Sequence, residues 1–305
     1  RARRPTRPFG GARIVELVFV LEQVLNGLLI GAYYLLIALG LSLIFSLGGI
    51  VNLAHGAFYA IGAYLAVALT PTIGFGGALV VSPVAVALLG LLVERFMLRR
   101  FYRGDPILSL LLTFGLAMVA EQALRMVFGA APLPFSIPLW LRGQVFIGDF
   151  IYSKYRLIIL GVAVLCVAGL WLLLTRTPFG RVVRAGVQNP DMVAALGISL
   201  KPYMTAVVMI AVGLAALAGT MMAPVTGVTP TMGAEILTFA FVVVVIGGLG
   251  SFWGVVVAAL IVGVVRGLAA YYFPPATEAS VYLLMVLVLL LRPRGLLGER
   301  IQRFE

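Results

Sequence analysis

Asn52, His55 and Tyr59 are polar side chains in apolar surroundings. They fall in GGIVNLAHGAFYAIGAY, Gly48–Tyr64, inside a hydrophobic region long enough to cross a membrane more than once. His55 is the only histidine of the chain. Lipid tolerates polar side chains and irregular backbone only where protein or a watery cavity covers them. The run therefore reads as a broken helix inside a membrane protein. At helical spacing positions 52, 55 and 59 share one face. Such a face must look into the bundle, as the wall of a permeation path or as an interhelical hydrogen-bonding surface. For His55 the spacing allows both.

Other chemistries lack their parts. No GxSxG nucleophile motif accompanies His55, and no GxxxxGK[ST] phosphate loop occurs. Nucleotide energy would have to come from a partner chain, and no cofactor is expected on this one. Cys166 is the only cysteine and lies within GVAVLCVAGL. One Cys and one His exclude an internal disulfide and a multi-ligand N/S metal site. Glu22, Glu121 and Glu235 lie in or near apolar segments. A proton-coupled carrier needs such groups at membrane depth. Both Glu121 and Glu235 also have a structural reading. Glu121 stands four residues before Arg125, the spacing of a helical ion pair. Glu235 stands at the start of an apolar segment, where a carboxylate favours a helix N-terminus.

The elements that position these residues follow from composition. Of 305 residues, 62% are hydrophobic and 11% charged, and the mean hydropathy is +1.13. Several apolar runs have the length that a bilayer core demands. The expected fold is all-α: a polytopic helical integral membrane protein of about eight to ten membrane segments with two broken or half-length helix regions. The apolar segments fall near 17–47, 50–70, 78–97, 106–128, 155–175, 202–223, 236–265 and 277–291. Residues 1–13 read as a basic disordered tail, 14–298 as one transmembrane domain, and 299–305 as a short C-terminal tail. The net charge of +11 fits arginines at helix ends better than nucleic-acid binding, for no basic stretch is interleaved with aromatics.

Three loops each gather basic residues: Arg95, Arg99, Arg100 and Arg103; Arg176, Arg181, Arg184 and Lys201; Arg292, Arg294, Arg300 and Arg303. The positive-inside rule makes all three cytoplasmic, and with them the C-terminus. The stretch 129–154 and YYFPPATE at 271–278 read as external. Parity then requires 236–265 to cross twice or not at all, and two half-length helices joined at GGLGS, Gly247–Ser251, satisfy it. Segment 17–47 is about 46 Å long as a helix. As one span it places the five arginines of the tail outside; as two passes it places them inside. LSLIFSLGGIVNLAHG and AFVVVVIGGLGSFWG share an apolar run, a Gly-Gly pair and a short irregular patch. Such a weak internal repeat, with breaks at matching places, suits a transporter path and adds Gly247 and Gly248 to Asn52, His55 and Tyr59 as candidate lining.

The loop 176–201 carries a capped helix signal. Asn189 is a capping residue, Pro190 stands at the first helical position, Asp191 is an acid in the first turn, and Gly197 ends the element. Met192, Ala195 and Leu196 give it an apolar stripe. A short capped helix with an apolar face on the cytoplasmic side suits docking to a partner or lying on lipid.

Four motifs in order, GGIVNLAHGAFYAIGAY, RAGVQNPDMVAALGI, IGGLGSFWGVVVAALIVG and LRPRGLLG, resemble the LivH-type permeases over about Leu21–Gly298. These are transmembrane subunits of ABC importers for branched-chain amino acids in the bacterial inner membrane. The resemblance implies a LivM-like second permease, in a pairing whose composition stays open, two cytoplasmic ATPase subunits that bind the ATP, and an extracytoplasmic solute-binding protein. It also implies that Asn189, Asp191, Met192, Ala195, Leu196 and Gly197 form the ATPase coupling element. The NLAHG segment becomes the broken helix near the path. Relatives carry urea, short amides and aromatic acids, so the solute follows only as a class. The competing class is a self-contained carrier or channel.

Overall fold

The computed structural model describes residues 9–102, 105–147 and 150–298. Residues 1–8, Arg103 and the 299–305 tail, with Arg300 and Arg303, lie outside the described residues. Helices dominate: α1 (Phe9–Gly48), α2 (His55–Phe96), α3 (Pro106–Phe128), α4 (Lys154–Arg176), α5 (Pro178–Gln188), α6 (Pro190–Ala195), α7 (Lys201–Thr226), α8 (Met232–Gly247), α9 (Phe252–Tyr272) and α10 (Thr277–Leu291). Among the described residues seven helical stretches are long and apolar enough to cross a membrane by length and composition. Helix α1 begins at Phe9, inside the segment read as a tail, and runs unbroken to Gly48. Segment 17–47 is therefore one span and not two.

Helix α2 holds two spans. A straight helix of its 42 residues would be about 63 Å long, twice the bilayer core. At Gly74, with φ +72°, the backbone leaves helical geometry three residues after Pro71, and the chain folds back. The Ser82 hydroxyl donates to the Gly62 carbonyl at 2.7 Å, so the two limbs lie side by side. Glycine at 74 makes the turn possible because positive φ carries no Cβ penalty there. With both limbs counted, and with the shorter α8, nine helical segments stand at membrane depth among the described residues.

Small residues set the packing. Helix α7 lies against both limbs of α2. A Cβ on Gly62 would fall 2.5 Å from the Ala216 Cα, and one on Gly90 would fall 3.0 Å from Val212. Thr220 joins the Gly62 carbonyl and the Ser82 hydroxyl at 3.1 and 3.2 Å. Helix α1 packs antiparallel on α9 in the same manner. A Cβ on Gly27 would sit 2.7 Å from the Gly263 carbonyl, and one on Gly31 would sit 2.7 Å from that of Ala259. Close backbone approach through glycine and alanine is how membrane helices gain dispersion energy without a hydrophobic drive.

Both Gly-Gly pairs end helices, with Gly49 at φ +65° and Gly248 at φ +99°. Beyond them the two regions differ. Helix α9 restarts at Phe252, capped by the Ser251 hydroxyl, which accepts from the Gly254 N–H. It is a full-length span, so of the two helices expected to be half-length α8, with 16 residues, is short and α9 is not. In the first region the chain climbs back along α1 before it turns helical again. The connection between α3 and α4 folds partly as a hairpin, β1 (Gln144–Ile147) with β2 (Phe150–Ser153), an addition to the all-α expectation. Helix α5 is a further element of loop 176–201; its signal was Thr177-Pro178, where the Thr177 hydroxyl accepts from the Gly180 N–H.

Candidate functional site

The NLAHG connection enters the bundle. Gly48 lies beside the Met204 methyl near the start of α7, whereas His55 reaches Ile37 on α1. Ile37 stands 11 residues, about 16 Å, up α1 from Gly48. Residues 49–54 therefore bring non-helical backbone to membrane depth, where protein groups satisfy it. The Thr113 hydroxyl of α3 accepts from the Leu53 N–H at 3.2 Å. The Asn52 carboxamide oxygen accepts from the Ala54 N–H at 3.1 Å.

His55 is fully buried, and its Nε2–H donates to the Ile37 carbonyl at 3.1 Å. A carbonyl only accepts, so the proton sits on Nε2, and Nδ1 is left without a protein partner. The ring fills the space that a Cβ on Gly40 would need. Its role in this arrangement is an interhelical hydrogen bond.

The shared face expected for positions 52, 55 and 59 is not formed, because α2 starts at His55 and Asn52 precedes it in a turn. Asn52 is buried with its Nδ2 unpartnered. It lines a cavity of about 320 Å³, with Leu41, Val51, Leu237, Phe241 and Met285 among its walls. Tyr59 is 2% exposed, and its carbonyl lies against Gly219. Gly247 and Gly248 pack on the backbone of Gly254 and of the Arg294–Gly298 turn. At this turn it is Gly250, Ser251, Phe252 and Trp253 that line a cavity, of about 290 Å³, with Trp171 and Arg184.

The carboxylates fall where spacing put them. Glu121 accepts from Arg125 at 2.7 Å, an i,i+4 pair on α3. Glu235 stands in the first turn of α8, exposed, and accepts from the Thr231 hydroxyl at 3.1 Å. Glu94 was not singled out by the sequence; its signal was an acid five residues before Arg99. It is fully buried near the end of α2. Both its oxygens accept from Arg99, at 3.2 and 3.3 Å. The Thr205 hydroxyl donates to it at 2.8 Å and the Tyr102 hydroxyl at 3.3 Å. Burial first, and then the neighbouring Glu94 charge, raise the Tyr102 phenol above its ordinary pKa, so it stays a donor. This cluster ties the end of α2 to the start of α7.

Helix α6 has the expected cap. The Asn189 side chain accepts from the Met192 N–H at 2.9 Å, Pro190 opens the helix, and Gly197 takes φ +78°. Asp191, Ala195 and Gly197 are exposed. Met192 and Leu196 are 58% and 72% exposed, while Val193 is buried and anchors the element. The end of α1 approaches this loop, for Leu47 contacts Gly186 of α5.

A bundle of apolar helices that holds irregular polar backbone at membrane depth, with a rigid capped helix at one end, defines a polytopic membrane transport protein. Residues 23–291 match the family described as "Branched-chain amino acid transport system / permease component". The chain belongs to that permease family of ABC transporters. The high-affinity branched-chain amino acid transport system permease protein BraD of Pseudomonas aeruginosa is 30% identical over 301 residues, 93% of this chain and 97% of that protein. LivH of Escherichia coli, a permease protein of the same description, is 27% identical and likewise covers 93% and 97%. LivM of Escherichia coli is 30% identical over 295 residues, 87% of this chain and 67% of that protein. Among solved structures, PsaBC from Streptococcus pneumoniae in complex with Fab shares the fold, with TM-score 0.51 and 14% identity over 95% of this chain and 98% of that one.

Proposed function

We propose that the chain is one transmembrane subunit of an ATP-driven importer for branched-chain amino acids. It pairs with a second permease, takes solute from an extracytoplasmic binding protein, and is driven by two cytoplasmic ATPase subunits that hold all the nucleotide. The observation that carries this reading is α6. A six-residue helix has no stability of its own, yet this one is capped, anchored by Val193, and presents bare Met192 and Leu196. A rigid apolar knob suits a groove on a partner protein. The positive-inside rule applied to Arg181, Arg184 and Lys201 makes its side the cytoplasm of a bacterial inner membrane. The turn after α10 lies against the end of α8, where the Leu296 N–H donates to the Ile246 carbonyl at 2.7 Å, and the next turn lines a cavity with Arg184, which supports a cytoplasmic C-terminus. The start of α1 lies opposite.

ATPase closure would push α6, the Glu94 cluster would pass that movement from α7 to the end of α2, and the bundle would change which side is open. Transmission of this kind requires a two-state packed element. Asn52, His55 and Tyr59 stand where the path would be controlled. Neutralisation of Glu121 by its own helix favours this reading over a proton-coupled carrier.

The test is Asp191→Ala with Leu196→Ala in the intact complex in proteoliposomes. Leucine uptake falls at least about tenfold while ATP hydrolysis continues, since truncating an exposed apolar anchor at an interface centre costs about 2 kcal/mol. Normal uptake by the double variant would remove the docking role. ATP turnover by the chain purified alone would sink the assignment to a subunit.

A further inference from the structure

Arg266 is a charged side chain within span α9, six residues before its outer end. Its guanidinium lies over the Phe239 ring at 4.6 Å from the centroid and 5.7 Å from that of Tyr34. Phe239 in turn stacks on Tyr34 at 5.4 Å and on Tyr282 at 6.1 Å. Glu278 of α10 acts on Arg266 electrostatically, but only from beyond 4.0 Å, so among the described residues no carboxylate forms an ion pair with it. The Tyr34 hydroxyl beside it is buried and also lacks a partner. An ionised arginine at membrane depth is costly unless it pairs or serves a ligand. Aromatic faces hold the cation in position, and among the described residues its five N–H donors find no protein acceptor. The planar fork of those donors matches a carboxylate.

The cage adjoins the cavity beside Asn52. Tyr282 belongs to both, and Leu41, Leu237, Val242 and Met285 give that cavity, of about 320 Å³, an apolar lining. Its volume lies at the lower end of the range for small-molecule sites.

We propose that Arg266 binds the carboxylate of the transported solute as it passes between the outer end of the bundle and this cavity. The Tyr34 hydroxyl supplies a second donor, and the cavity takes the aliphatic part. The inference rests on the reading of the chain as an amino-acid permease and narrows it. A solute must carry a carboxylate, so urea and short amides are excluded as the main cargo.

The experiment uses the intact complex in proteoliposomes with labelled leucine. Losing a charged hydrogen-bonding partner lowers uptake of subsaturating leucine roughly 10- to 100-fold in Arg266→Gln. Arg266→Lys, which keeps the positive charge, recovers part of it. A second arm reads the site without a variant. Phenylglyoxal modification of Arg266 in the native complex, read by peptide mass, is slowed by excess leucine and not by leucinamide, which lacks the carboxylate. This arm decides the matter if the Gln variant fails to assemble. Undiminished leucine uptake by Arg266→Gln, or equal protection by the two compounds, overturns the inference and leaves the permease reading intact. A native complex that imports no amino acid overturns the solute reading first, and this inference with it.

Discussion

Glu94→Gln keeps the shape of the side chain and removes its charge. Glu94 accepts four hydrogen bonds, two from Arg99 and one each from Thr205 and Tyr102. Breaking a fully buried ion pair costs about 3–5 kcal/mol. Here the Arg99 side chain is 33% exposed, so it can turn to water, and a surface pair contributes only about 0–1 kcal/mol. The carboxamide still accepts from one hydroxyl. The remaining loss is one charge-assisted contact with Arg99 and a weakened one with Thr205, together about 2 kcal/mol, or roughly 30-fold in the folding equilibrium. Thr205→Val removes a partner of the same carboxylate. Groups that share one network couple, so the two changes together cost less than their sum by about 1 kcal/mol. Equilibrium unfolding of the purified chain in mixed micelles with increasing dodecyl sulfate measures all four corners of this cycle. Full stability of Glu94→Gln, or additivity within about 0.3 kcal/mol, would refute the account of the cluster as the tie between α2 and α7.

Asn52 is fully buried at rest but lines a cavity of about 320 Å³, so cysteine placed there in a Cys166→Ala background reacts with aqueous thiol reagents faster during transport than at rest. Cysteine at Tyr59 is protected in the resting protein, since that side chain is 2% exposed; equal labelling of the two sites would contradict the placement of the path. Gly31→Val forces a Cβ to within 2.7 Å of the Ala259 carbonyl. It lowers stability by about 1–3 kcal/mol, read in the same micelle titration, whereas Gly169→Val on α4 meets open space and leaves the midpoint unchanged.

The membrane character and most of the span order were legible because hydrocarbon thickness and backbone satisfaction leave a chain few choices. The α6 cap was legible for a different reason: Asn189, Pro190 and Gly197 act through local geometry alone. The GGLGS turn was placed by charge parity, since α8 and α9 must return on themselves to deliver Arg292 to its side. The NLAHG segment resisted the same treatment. Helical spacing put Asn52 with His55 and Tyr59, but the helix starts three residues later, and only the climb back along α1 shows why. Where the chain leaves a helix and re-enters the bundle depends on a distant partner, here Thr113 and Ile37. The Glu94 cluster and the Arg266 cage stayed hidden for the same reason. Thr205 of the first lies about 100 residues from its other members, and the four members of the second lie on four helices.

The embrace of α7 by the two limbs of α2 bears on how the protein is made. The limbs are complete at Phe96, but the helix that fills the cleft between them ends at Thr226. At translation speeds of about 5–20 residues per second, roughly 130 further residues take about 7–26 seconds. Throughout that interval the glycine-lined cleft and the Ser82 hydroxyl wait without the helix that covers them. A nascent chain halted before α7 therefore offers a membrane-embedded polar notch to any passing helix, its own or another's.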